Sequence, residues 1–223
     1  MKQRRFKRLV SMVLTFALFC GMIGEMRTET EACATAFWAG TNGYDNRDLR
    51  FRISNSAFVP VIAPASSNFN HVLDTFSNGG WNSITSRVRI TNVSTNASGA
   101  NTVVVIGENM PPVAGWLTFG EIRPYDRLGR PAALASDWSD VDIVMNNGLA
   151  NWRLICNNDA QRTRVFENAF RHEVGHVLKL VHPGCSTIAV MHQGIPAALP
   201  GGSSFVGEKL QAHDSTNLQV KWG

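Results

Sequence analysis

The sequence predicts an α+β fold with a mixed, roughly five-stranded sheet and about three helices. Three observations predict it. Residues 37–150 hold short β-branched or aromatic runs bounded by Gly, Pro, Asn and Ser; apolar residues recur at helical spacing beyond residue 158; and no repeat or low-complexity linker divides the chain. With 223 residues, 44% hydrophobic and 17% charged, the chain has material for one substantial core. Disordered, fibrous and repeat architectures are excluded on the same grounds.

The chain starts with Lys2, Arg4, Arg5, Lys7 and Arg8, followed by an apolar run from Leu9 to about Ile23. That layout predicts a secretory signal peptide over residues 1–34, with cleavage after Ala34 or Ala36, where Ala32-Cys33-Ala34 and Ala34-Thr35-Ala36 both read A-x-A. A retained anchor helix is the alternative, and the run is short and wrongly flanked for one. Residues 35–223 then form a single domain. Residues 1–34 carry six Lys/Arg against three Asp/Glu, so most of the formal net charge of +4 belongs to the leader. The remainder has no basic stripe, which argues against nucleic acid as a partner.

Five strands are expected in order: 49–54 (LRFRIS), 86–91 (SRVRIT), 101–107 (NTVVVIG), 115–122 (GWLTFGEI) and 141–146 (VDIVMN). Between the first two, Phe69, Val72, Leu73 and Phe76 repeat at helical spacing after Ser66, Ser67 and Asn68, predicting a helix packed on the sheet.

The next helix carries the chemistry. Asn158 with Gln161 three residues later offers a start signal, and Phe166, Phe170, Val174, Val177 and Val181 form an apolar stripe. On a neighbouring face His172 and His176 are four residues apart, so their imidazoles project side by side about one turn apart and can grip one ion. Neutral imidazole suits Zn²⁺, and Glu173, about 100° round the helix from His172, can receive a proton from a water on the metal without being a ligand. His182 is six residues beyond His176 and precedes Pro183, so it reaches the same ion only if the chain turns near Lys179 or Leu180.

Written out, HEVGHVLKLVH followed by STIAVMHQG resembles the metzincin zinc metalloproteases, whose signature is H-E-x-x-H-x-x-G-x-x-H with a methionine-containing turn beyond it. Within that clan the chain looks most similar to matrixin-like secreted bacterial peptidases. SDVDIVMNN resembles their strand along the substrate cleft, and HDSTNLQVKWG their C-terminal helix, with Asp214, Leu218 and Trp222 as anchors.

The resemblance implies a metzincin-like catalytic domain with one catalytic zinc in a cleft, held by His172, His176 and His182. It implies a secreted, extracellular, monomeric zinc endopeptidase that hydrolyses protein or peptide substrates with Glu173 as general base. Met191 would form an apolar floor beneath the imidazoles, and Gln193 stands where some branches place a metal-contacting Tyr. The substrate would lie extended against residues 141–146.

The departure is Lys179, where the family has glycine. A non-Gly residue at positive φ costs on the order of 1–2 kcal/mol, which makes Lys179 a strained but tolerated substitution and predicts that Lys179→Gly stabilises the fold by about 1 kcal/mol. It also motivates two alternatives: a secreted zinc-binding protein of the same fold with little turnover, and a non-enzymatic surface interaction module.

Other groupings carry less. Asp137, Asp140 and Asp142 leave Ca²⁺ open, although their spacing matches no EF-hand loop and a solvated strand edge explains them as well. The sequons at Asn92 and Asn96 matter only in a glycosylating host. Cys156 and Cys185 could form a disulfide or remain thiols, and the fate of Cys33 depends on the cleavage site.

Overall fold

From Leu49 to Ile53 apolar and charged side chains alternate, and the burial follows: Leu49 and Phe51 are buried while Arg50 and Arg52 are exposed. This two-residue period builds one sheet. In the computed structural model the described residues are 48–54, 89–93, 102–112, 118–153, 156, 158–183, 190–191 and 212–222, all within a unit spanning Cys33–Gly223. The strands are β1 (Asp48–Ile53), β2 (Arg89–Val93), β3 (Thr102–Glu108), β4 (Gly120–Tyr125) and β5 (Asp140–Asn146). They are ordered β2-β1-β3-β5-β4, all parallel except β4, which runs antiparallel to β5 at the edge. The helices among the described residues are α1 (Leu149–Arg153), α2 (Asp159–Val177) and α3 (Ala212–Trp222). The α+β class with a mixed sheet is thus observed.

The inner sheet face presents Leu49, Phe51, Val103, Val105, Val141, Ile143 and Met145, all at most 1% exposed, and joins one core with Phe166, Phe170, Val174 and Val177 of α2. Burying each such side chain contributes about 1.5–3 kcal/mol, so the α2 stripe fixes the helix on the sheet. Phe51 and Phe170 meet edge to face, with ring centroids 6.4 Å apart. Val181, expected to extend this stripe, lies beyond the end of α2 and is only half-buried, because the chain has already turned. No helix among the described residues is long and apolar enough to cross a membrane.

Two strand expectations shift. The second strand begins at Arg89, and the fourth occupies Gly120–Tyr125, later than 115–122. It runs through Pro124, which an edge strand tolerates where the proline nitrogen faces away from its neighbour. Here the Pro124 carbonyl accepts from Ala132 N (2.9 Å), outward from the sheet, whereas Phe119 O accepts from Asn146 N (2.8 Å) and Tyr125 O from Ser139 N (3.0 Å), toward β5. By alternation Gly120 and Ile122 also point their backbone groups outward, with no strand beyond them among the described residues.

The following loop folds back on β4. Asp126 Oδ1 accepts from Leu128 N and Arg130 N, Gly129 takes φ +71°, and Tyr125 bridges Pro131. The expectation that substrate lies against residues 141–146 is corrected here: β5 is paired on both sides, by β3 and β4, and has no free edge. The helix expected after Ser66, the leader, Cys33, Cys185 and Gln193 lie outside the described residues. Cys156 is a buried free thiol.

Candidate metal centre

The N-terminus of α2 is fixed as the sequence predicts: Asn158 caps it, its side chain accepting from Gln161 N at 2.9 Å. From that start, His172 and His176 fall on one face in the last turns. The helix ends at Val177, Lys179 takes φ 70°, and the chain reverses to bring back His182. His182 Nε2 then lies 2.9 Å from His172 Nε2 and 3.2 Å from His176 Nε2. Among the described residues these three histidines are the one grouping of His, Cys, Asp or Glu that could hold a metal ion.

The tautomers follow from the far side of each ring. His172 Nδ1 faces Val190 O at 2.8 Å and His176 Nδ1 faces Leu180 O at 2.8 Å; a carbonyl only accepts, so both Nδ1 atoms carry the proton and both Nε2 atoms present lone pairs. One N–H on His182 cannot serve both of them well. A cation serves all three, and a tetrahedral site with arms of 2.0–2.1 Å has edges of about 3.3 Å, close to the observed separations. The carbonyls of Val190 and Leu180 fix the orientation of the His172 and His176 rings. The donor set therefore fits a zinc-like ion. Burial, and then the neighbouring His172, push the His176 imidazole down to about 3, so in the metal-free protein it stays neutral.

Glu173 is 5% exposed and its Oε2 has no hydrogen-bond partner. Burial, with a smaller push from Glu121, raises its carboxyl to about 8. It packs against Gly120 of β4, where a Cβ would stand 2.8 Å from Glu173 Cγ. Nothing in the sequence marked Gly120, because its neighbour arrives from a distant helix.

Met191 is buried, and its sulfur lies 2.1 Å from the point where a Cβ on Gly175 would be, so it packs directly on α2 at the residue before His176. The segment is held from α3: Asp214, fully buried, accepts from Val190 N (2.8 Å) and Met191 N (3.3 Å). Asp214, Leu218 and Trp222 do anchor α3, and Trp222 Nε1 donates to Leu178 O at 2.9 Å. The reach of Asp214 to the Met191 segment was not visible from spacing; an aspartate on the apolar face of a helix is the signal that could have found it.

Lys179 is where expectation and structure part. Its positive φ is as expected, but its side chain is 2% exposed, and its ammonium donates to Leu134 O at 3.1 Å and to Ser136 O. It also stands 3.5 Å from the centroid of the Trp138 ring. Replacing it with glycine would leave those carbonyls and that cavity unfilled, so the structure predicts a loss of stability for Lys179→Gly in place of the expected gain.

Asp137, Asp140 and Asp142 do not converge into a ligand set among the described residues: Asp137 is exposed in the connection before β5, and Asp140 and Asp142 pair across to Tyr125 and Arg123 of β4. No family model matches the chain, and no curated protein matches it significantly.

Proposed function

We propose that the chain is a secreted zinc endopeptidase of metzincin-like design, with His172, His176 and His182 as metal ligands and Glu173 as general base. One observation carries this reading: three imidazole Nε2 atoms converge from both sides of a turn, and a buried carboxylate with an unpartnered oxygen stands one residue along the same helix.

When bound, zinc supplies Lewis acidity where the imidazoles meet, polarising a peptide carbonyl and lowering the pKa of a water there toward about 7. Glu173 takes the proton from the attacking water as the new C–O bond forms, then delivers it to the nitrogen as the C–N bond breaks. Its environment suits both halves: burial favours the protonated form, and a cation held by the three imidazoles would favour the ionised one. Gly120 leaves room for that carboxylate on the sheet side. An extended peptide would pair with the outward backbone groups of Gly120 and Ile122, adding a strand to β4.

Metal analysis combined with casein digestion tests the reading. One zinc per chain and cleavage abolished by a chelator are expected. Zinc without cleavage would leave a metal-binding protein, and absence of zinc would make the histidines structural.

A further inference from the structure

Lys179 is the sole non-glycine residue at positive φ among the described residues, a conformation that costs on the order of 1–2 kcal/mol. A side chain that occupies such a position and is also withdrawn from water must be held by what surrounds it. The surroundings are specific. Trp138 is itself buried, and its Nε1 donates to Ala133 O at 3.1 Å, the same carbonyl that accepts from Ser136 N at 2.9 Å. This tight turn presents two further carbonyls, of Leu134 and Ser136, and one aromatic face to a single ammonium. Burial lowers the Lys179 amine to about 8, Asp137 opposing and Lys221 adding to that shift, which leaves it mainly cationic at neutral pH.

The backbone on either side of this anchor belongs to the metal centre. Leu178 O is taken by Trp222, Leu180 N donates to Gly175 O at 3.0 Å, and Leu180 O orients His176 through its Nδ1 proton. Two residues past Leu180 the chain presents His182.

We propose that Lys179 is a positioning residue of the metal centre: its caged ammonium locks the turn that aims the Leu180 carbonyl at His176 and returns His182 to the other two imidazoles. Resting on the metal-binding reading above, it needs no assumption about hydrolysis. Through this clamp the turn at residues 133–138 becomes part of the site's support although it supplies no ligand.

The test uses the full chain, with Lys179→Met, which keeps the length of the stem but removes every donor, and Lys179→Gly, which relieves the backbone. Zinc affinity is read by competition with a chromogenic chelator, and site geometry by the visible absorption of the cobalt(II)-loaded protein. Both variants are expected to bind zinc about 10–100-fold more weakly than the parent, with altered cobalt bands, the range typical when a partner behind a ligand is lost. The glycine variant decides the matter: if backbone strain were all that Lys179 contributed, it would bind at least as tightly as the parent.

Parent-like affinity and cobalt bands in Lys179→Gly would overturn the proposal. Should either variant fail to fold, Trp138→Phe approaches the cage from the other side. A several-fold loss of zinc affinity with shifted cobalt bands is expected there, and an unchanged site would overturn the clamp. A parent that binds neither zinc nor cobalt would instead overturn the metal-binding reading itself, and the positioning role with it.

Discussion

Gly175 and Met191 interlock: the methionine sulfur occupies the place, within 2.1 Å, where any side chain on residue 175 would begin. A glycine inside a helix ordinarily invites replacement, since Gly→Ala gains about 0.5–1 kcal/mol. Here the sign should reverse. Gly175→Ala is expected to lose about 1–3 kcal/mol by overpacking and to weaken zinc binding, as read by thermal unfolding and metal titration. Adding Met191→Ala should recover part of the loss, and a strictly additive double variant would refute the contact.

Asp214 ties α3 to the segment that orients His172. Asp214→Ala leaves Val190 N and Met191 N buried without their acceptor, so urea unfolding should show a loss of about 2–4 kcal/mol. Because Val190 O sets the His172 ring, zinc affinity should fall as well. Asp214→Asn, which keeps one acceptor oxygen, should lose less on both measures.

Variants of Glu173 and His176 should separate metal binding from proton transfer. Glu173→Gln, close in shape and suited to its tight site against Gly120, should retain close to one zinc per chain while peptide hydrolysis falls by a factor of at least ~10². His176→Ala should lose metal and activity together. Equal loss of zinc in both variants would remove Glu173 from the role assigned to it.

The metal-free protein should show two opposed pH dependences. Glu173 keeps its proton up to about 8 when folded but ionises near 4.5 when unfolded, so its contribution to stability is lost as pH rises through that window. His176 works the other way: the unfolded imidazole takes up a proton near 6.5 while the folded one resists to about 3, so stability is lost as pH falls between those values. The melting temperature of Glu173→Gln should therefore gain on the parent progressively from about pH 4.5 to 8. A constant difference across that range would contradict the burial of an ionisable group there.

The legible parts of the molecule were those written in local spacing. The Asn158 cap, the stripe from Phe166 to Val177, the pairing of His172 with His176 and the alternation of β1 all follow from residues within a few positions of one another. The need for a turn at Lys179 was legible too, because six residues cannot bring His182 round a straight helix. The reason for a lysine there was not: its carbonyl partners lie 43 and 45 residues earlier in the chain. The same applies to Gly120 under Glu173. Strand order was equally hidden, since β5 looks like any apolar strand until β3 and β4 close on both its sides and β4 takes the outer position among the described residues.

That edge has a further consequence. An open strand at the margin of a sheet is a template on which a second molecule can stack, the first step toward aggregation. Along β4 the hazard is cut short: Pro124 offers no amide hydrogen, its carbonyl is engaged by Ala132, and the returning loop bridges Tyr125. Arg123 adds charge beside the open stretch, pairing with Glu108 and Glu121. Among the described residues only the outward backbone groups of Gly120 and Ile122 are left without a neighbouring strand, a stretch too short to template another copy of the sheet.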